Sequence, residues 1–338
     1  MEIRNNVELK NYLTMRIGGI SQYLAEIKNK EELLEALAFA DKNHLRIFIL
    51  GGGSNTLASD KGFEGLVVVN RMTGSSILKE DDESISICYG SGEVLDDIVL
   101  SSVQSGYTGI EAMSHIPGTL GGALVQNSGA YGQEIADVFE YMEVYDLKDH
   151  CFKTLYKEDC HFTYRHSIFR GREKGRYIII NAVLRLYKGF PKPPFYKQVQ
   201  QVLDDRNVNE YTPEIIRNIV IDIRINKLPD VNVIPNSGSF FKNAVISEEK
   251  YFELKKSYPE LKGFKSNGKY KISTGWLIEK AGLKGTYLYG MRVHDKNALI
   301  LTNVDASGYE DLKRAREEII DKVKEKFDIV IRQEVLEI

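Results

Sequence analysis

Eighteen residues, His115–Gly132 (HIPGTLGGALVQNSGAYG), constrain this chain more than any other stretch: they hold five glycines and one proline and almost no charge. With no Cβ in the way, Gly118, Gly121 and Gly122 let main-chain N–H groups come close to a bound group. Gln126, Asn127, Ser128 and Tyr131 add polar side chains without a full charge. That composition suits a phosphate or pyrophosphate cradled by backbone donors. It equally suits a plain connector between strands.

A second loop bears on the choice. Tyr23–Ile27 reads as a strand. Leu33, Leu34, Leu37, Ala38 and Ala40 then share one face of a helix between Lys30 and Asn43. The apolar run Leu45–Leu50 follows and ends in Gly51, Gly52, Gly53, Ser54 and Asn55. A Walker loop needs Lys-Ser or Lys-Thr after its last glycine, but Ser54-Asn55 stands there. A dinucleotide fingerprint needs a third glycine where Thr56 lies, and an amphipathic helix that does not open. Two glycine loops, neither of a common kind, suggest one large phosphorylated ligand held from two sides.

The 338 residues leave room for two domains and a small third unit. With 43% hydrophobic and 28% charged residues, the chain reads as an ordinary globular protein. A net charge of −3 on a mixed surface argues against a nucleic-acid partner. The six histidines form no zinc motif, so no metal is expected. Cys88, Cys151 and Cys160 are odd in number and form no CxxC, which fits a reducing cytoplasm. The N-terminus lacks the apolar core of a signal peptide. No apolar run approaches the roughly 20 residues that span a bilayer. The expectation is a cytoplasmic protein without a membrane partner.

Along the chain, Asn11–Ile20 leads to the first strand through a turn or bulge at Gly18-Gly19. Gly65–Asn70 is a short apolar strand. Ser76–Lys79 and Ile85–Tyr89 flank the acidic turn Glu80–Glu83 as a hairpin. A helix is expected over Glu93–Ser105, stopped by Gly106. Val138–Leu147 alternates as a strand, Phe162–Arg170 has no clear period, and Tyr177–Tyr187 is a β-branched, buried strand. Lys188–Pro194, with three of the eight prolines, reads as a linker or lid. Thr212 and Pro213 open a helix to Ile225.

At Leu228–Asn236 the composition changes, marking a domain boundary. The expected division is residues 1–227, in two α+β subdomains, and 228–327, with a final strand Asp328–Ile338 returning to the first part. Beyond the boundary come a helix Thr274–Ala281 capped by Gly282, a strand Ala298–Asn303 and a helix Tyr309–Phe327.

Taken singly, Arg165, Ser239, Glu334, Lys227 and Asn243 look ordinary. Their setting does not. Gly51–Asn55, Ile116–Gly122, Gln126-Asn127 with Gly129-Ala130-Tyr131-Gly132, Tyr164-Arg165 with Ser167-Ile168-Phe169, and Gly238–Asn243 (GSFFKN) together resemble UDP-N-acetylenolpyruvoylglucosamine reductases. Trp276–Glu279, Lys284-Gly285 and Val293-His294 before Ala298-Leu299 extend the resemblance, which runs from about Thr14 to Ile338.

The resemblance implies an α+β fold: a vanillyl-alcohol-oxidase (PCMH)-type FAD-binding domain followed by a smaller α+β substrate-binding domain. It implies non-covalent FAD, NADPH as hydride donor, and reduction of UDP-N-acetylglucosamine enolpyruvate to UDP-N-acetylmuramate for peptidoglycan, by a monomer. Arg165 and Glu334 would position and polarise the enolpyruvyl group, and Ser239 would donate the proton. FAD would lie against Gly51, Gly52, Gly53, Ser54, Asn55, Pro117, Gly118, Thr119, Gly121, Gly122, Gln126, Asn127, Gly129, Ala130, Tyr131, Gly132 and Arg224. Lys227, Asn243, Tyr196 and Asn297 would meet the substrate. Tyr196 departs from the pattern in being followed by Lys197 rather than glycine, and Asn297 stands where some relatives carry glutamine.

Two other readings stay open on the residues alone. One is an oxidase of the same fold, against which stands the lack of an obvious His or Cys flavin attachment. The other is a non-catalytic nucleotide-binding module, against which stands the joint presence of Arg165, Ser239 and Glu334.

Overall fold

The computed structural model describes residues 1–266 and 268–338. The chain divides into two units. One is Met1–Asn6, Gln22–Gly52 and Glu64–Asn226; the other is Val7–Ser21, Gly53–Phe63 and Lys227–Ile338.

The first unit is built on two sheets. The smaller has the strand order Ile3–Glu8, Ile20–Ile27, Phe63–Asn70, Ile47–Leu50, the last two parallel, and a few of its strand ends belong to the second unit. Helix Lys30–Lys42 starts where the Asn29 side chain accepts the Glu32 N–H, a cap that satisfies one of the helix's orphan donors. Its buried face, Leu33, Ala36, Leu37 and Ala40, packs on Ala25, Ile27, Leu66 and Val68.

The larger sheet runs Cys151–Tyr156, Phe139–Asp146, Tyr177–Lys188, Ser84–Gly90, Ser75–Glu80, with Tyr107–Thr108 on the side. Strand Tyr177–Lys188 is apolar without alternation because both of its faces are covered. Ile178 and Ile180 belong to the cluster under helix Lys30–Lys42. Ile179, Ala182 and Leu184 pack with Leu95, Ile98 and Val99 of helix Leu95–Gln104. Each such fully buried side chain contributes roughly 1.5–3 kcal/mol. The expected hairpin is present, with Ser75 opposite Tyr89 and Glu80 opposite Ile85.

Helix Pro213–Lys227 opens as its sequence implies: the Thr212 hydroxyl accepts the Ile215 N–H at 3.2 Å. It packs through Ile216, Ile219, Val220 and Ile223 against Val199 and Leu203. Those two residues lie on helix Lys197–Asp205, which sequence reasoning missed. Its apolar positions follow a helical spacing, but the prolines just before it read only as a loop.

The second unit holds a sheet ordered Asn236–Ser239, Ile300–Asn303, Met291–Val293, Tyr287–Leu288. A separate three-stranded sheet is formed by Ala244–Ser247, Lys269–Ile272 and Gly263–Ser266. Helix Tyr309–Phe327 has the expected bounds and buries Leu312, Ala315, Ile319 and Val323 with Phe240, Phe241, Leu277 and Ile278.

The expected final strand Asp328–Ile338 is not one strand. Only Leu336–Glu337 is, paired in parallel with Thr56–Leu57. Residues 332–334 pair instead with 240–242, through Lys242 N–H to the Arg332 carbonyl and Glu334 N–H to the Phe240 carbonyl. The segment changes partners part-way, with an isolated bridge at Gln333 and a ladder only at Leu336–Glu337. Both sets of partners lie in the second unit.

Candidate active site

In the first unit the two glycine loops touch backbone to backbone. A Cβ on Gly52 would lie 2.8 Å from the Gly118 Cα, and one on Gly51 would lie 2.6 Å from the Thr119 Oγ1. Only glycine allows that approach. Thr119 caps helix Leu120–Gln126, and its hydroxyl accepts the Gly122 N–H at 3.5 Å. The loop's donors are not all available, however. Leu120 N–H and Gly121 N–H donate to the carbonyls of Glu93 and Ser91, so these two donors serve the fold. The absent side chain at Gly121 instead lets the helix sit on Ser91, whose carbonyl a Cβ would meet at 3.1 Å.

The helix ends at Asn127 in the left-handed region, φ 48°. Its amide serves the fold: Nδ2 donates to Glu134 and to the Thr163 carbonyl, and Oδ1 accepts the Ala136 N–H. Gly129-Ala130 and Gln133-Glu134 then pair across a two-residue turn, Tyr131-Gly132, both with positive φ. That is the geometry of a type I′ hairpin. Gln126 donates to the Ser128 hydroxyl and accepts from Arg170 at 3.4 Å.

Arg165, itself at φ 53°, directs its guanidinium to the carbonyls of Asn127 at 3.2 Å and Gly129 at 2.7 Å. It is thereby fixed to the hairpin's base. On the turn, the Tyr131 ring meets Tyr196 edge-on at 5.6 Å. Arg224 carries its charge close to the Tyr131 phenol and donates from Nε to the His115 carbonyl at 3.2 Å. Burial pushes the Tyr131 phenol up and pulls the Arg224 guanidinium down from their ordinary values. A partly desolvated cation beside exposed glycine backbone is a receptor for anionic oxygens, so these residues fit a bound dinucleotide.

In the second unit Gly53 has φ +67°, and a Cβ there would fall 1.9 Å from the Tyr12 carbonyl oxygen. Thr14 N–H donates to the Gly53 carbonyl and Leu336 N–H to that of Asn55. Ser54 and Asn55 are half-buried, and Pro117, in the first unit, precedes Gly118 at the loop's turn.

Ser239 is exposed at the end of its strand, after Gly238 at φ +65° and before the buried Phe240. The Phe240 carbonyl accepts the Glu334 N–H at 2.8 Å, so the terminal segment brings Glu334, 8% exposed, to the end of the Ser239 strand. Asn243 accepts the Thr274 N–H, and Asn297 accepts the Leu299 N–H, each at one oxygen. Lys227 ends its helix, its ammonium pulled down by burial. Two further polar atoms on this sheet, Ser237 Oγ and His294 Nδ1, are buried without a hydrogen-bond partner among the described residues. Neither has a sequence signal that would single it out.

Comparison with known proteins accounts for this arrangement. The family model described as FAD binding domain matches residues 21–154. That described as UDP-N-acetylenolpyruvoylglucosamine reductase, C-terminal domain, matches residues 229–338. The UDP-N-acetylenolpyruvoylglucosamine reductase of Vibrio vulnificus (strain YJ016) is 36% identical over 335 residues, covering 99% of this chain and 95% of that one. That of Flavobacterium johnsoniae is 37% identical over 337 residues, covering 99% of each. This chain belongs to the UDP-N-acetylenolpyruvoylglucosamine reductase family.

The crystal structure of the Thermus caldophilus reductase has the same fold, with a TM-score of 0.68 at 22% identity over 100% of this chain and 99% of that one. The α+β expectation therefore holds, as an FAD-binding domain followed by the reductase C-terminal domain. Both glycine loops fall in the FAD-binding match, and Ser239 and Glu334 fall in the C-terminal one. Arg165 lies in neither.

Proposed function

We propose that this chain reduces UDP-N-acetylglucosamine enolpyruvate to UDP-N-acetylmuramate, using non-covalent FAD and NADPH. It would act as a cytoplasmic monomer without nucleic-acid or membrane partners, supplying peptidoglycan precursor for cell shape and division. Residues 1–227 would be the cofactor-binding part and 228–327 the substrate-binding part. The observation that carries this reading is the full-length likeness to reductases of that name, together with Ser239 at a strand end next to the backbone that holds Glu334.

The chemistry a bound FAD would supply is hydride transfer, from the reduced nicotinamide to the vinyl CH₂ carbon of the substrate. The chain's own residues do the rest. Gly51–Asn55 and the 117–132 loop would hold the dinucleotide, with Arg224 as the cation. As hydride arrives, negative charge develops on the neighbouring carbon and spreads into its carboxylate. Pre-placed positive charge stabilises that state more than the ground state, which is the role assigned to Arg165. Glu334 would orient the enolpyruvyl group.

Ser239 would deliver the proton to the carbanionic carbon. A serine hydroxyl is a poor acid in water, so it serves here only because its target is a strong base. Lys227, Asn243, Tyr196 and Asn297 would contact the substrate's nucleotide and sugar.

Anaerobic stopped-flow absorbance near 450 nm tests the reading on the whole FAD-loaded protein. NADPH should bleach the flavin, and the enolpyruvyl substrate should restore it. Ser239→Ala should leave bleaching nearly normal and slow the restoration by about 10²–10⁴-fold, the range of acid–base catalysis. Equal slowing of both phases, or of neither, refutes the assignment to Ser239. Colour returning only when air is admitted marks an oxidase instead.

A further inference from the structure

The terminal segment reaches Ser239's strand only by an irregular path. Helix Tyr309–Phe327 ends at Asp328 in the left-handed region. Residues 332–334 then pair with 240–242, and from Leu336 onward the partners become Asn55 and Leu57. The exchange of partners falls at Val335, next to Glu334. An extended segment that changes ladders loses the mutual support of a continuous one, which a contact from outside the ladder can replace.

The helix supplies it. Arg316 Nη1 donates to Gln333 Oε1 at 2.7 Å and also pairs with the Glu337 carboxylate. One guanidinium therefore grips the segment on both sides of the exchange point. Gln333 Nε2 completes the grip by donating to the Val335 carbonyl at 2.7 Å. Tyr309, two turns earlier on the helix, lies beside the Arg316–Glu337 pair, with the Arg316 guanidinium 6.0 Å from its ring centre. The Arg316 side chain is 14% exposed, so water competes weakly for these contacts. Neighbouring side chains of an extended segment point to opposite sides. Holding Gln333 toward the helix thus aims Glu334 away from it.

We infer that Arg316 is a positioning residue for the reductase reaction, acting through the terminal segment to fix Glu334. The inference rests on the role proposed above for Glu334. Arg316 makes none of the contacts of chemistry itself; a small misplacement of a reacting group is enough to cost up to about 10²-fold in rate.

Full-length, FAD-loaded Arg316→Met, Arg316→Lys, Glu334→Gln and the Arg316→Met/Glu334→Gln double variant decide it. In Arg316→Met the restoration of flavin colour by substrate should slow about 10- to 100-fold, with half-saturation little changed and bleaching by NADPH within about twofold of wild type. Arg316→Lys should recover part of the loss. In the Glu334→Gln background the Arg316 change should cost little more, because both act on one group. Hydrogen exchange of the Glu334 and Leu336 amides should quicken in Arg316→Met, a readout independent of activity. Multiplicative losses in the double variant, a wild-type restoration rate in Arg316→Met, or unchanged exchange would overturn the inference. A wild-type rate in Glu334→Gln would instead remove the role of Glu334 and the inference with it. Should Arg316→Met not fold, Arg316→Lys carries the same comparison.

Discussion

Gly52 and Gly53 are neighbours that are glycine for different reasons. Gly53 has positive φ and no room: its Cβ would overlap the Tyr12 carbonyl. Gly53→Ala should therefore destabilise the protein by about 1–3 kcal/mol from backbone strain alone, read as a drop of several degrees in melting temperature. A variant melting with wild type would refute this. Gly52 has no such strain, and its constraint is the approach of Gly118 at 2.8 Å. Gly52→Ala should part the two loops and weaken FAD retention, measured as free flavin fluorescence after ultrafiltration, with a smaller loss of stability. Unchanged retention would separate this contact from the cofactor. In the sequence both residues read alike, as places where backbone comes near a phosphate. Which glycine is bare for a neighbouring loop and which for a turn depends on residues 118 and 12, distant in sequence, and no local pattern reports them.

At the scale of elements, helix Pro213–Lys227 is tied to helix Leu95–Gln104 by a forked ion pair, Arg217 to Asp96 at 2.6 and 3.1 Å. Asp96 also accepts the His115 N–H at 2.6 Å, so it holds the start of the glycine-rich loop. Burial pushes the Asp96 carboxyl up, but the Arg217 and His115 hydrogen bonds and nearby positive charge outweigh it and hold it below the ordinary value. Because the folded value lies below the unfolded one, the stabilisation is complete above about pH 4 and is lost as pH falls through the folded value. Asp96→Asn leaves the buried Arg217 unpaired and should cost about 3 kcal/mol. Urea unfolding should show that gap at pH 7 and a narrower one at pH 3; a gap of constant size refutes the assignment.

That helix was legible because Thr212, Pro213 and its apolar spacing agree, and Tyr309–Phe327 was legible from its apolar spacing alone. Helix Glu248–Ser257 and strand Cys151–Tyr156 were missed. Their charged, half-exposed faces carry little periodic signal. The broken terminal segment was read as one strand because a change of hydrogen-bond partner leaves β-type residues on both sides of the break.

Over the whole molecule, the C-terminal family domain and the second unit are different sets of residues. The family match spans 229–338, whereas the unit also includes Val7–Ser21 and Gly53–Phe63. The boundary near residue 228 is visible in the composition of Leu228–Asn236. The two early segments are not, since nothing local marks a strand such as Thr56–Leu57, whose partner Leu336–Glu337 lies near the far end of the chain. Their contribution is substantial. Met15, Ile17 and Leu57 are buried in the same core as Phe240 and Leu277. The Thr14 hydroxyl donates to the Asn236 carbonyl at 2.6 Å, and the Asn303 amide donates to that of Met15 at 3.1 Å. Losing three buried apolar side chains removes about 5–9 kcal/mol at roughly 1.5–3 kcal/mol each, comparable with the 5–15 kcal/mol that holds a typical domain folded. A fragment comprising residues 229–338 should therefore lack a cooperative thermal transition and near-ultraviolet circular dichroism, although the family boundary would suggest an independent domain. A sigmoidal melt of that fragment would show that its core closes without Met15, Ile17 and Leu57, and would make the early segments an addition to a folded domain rather than part of what folds it.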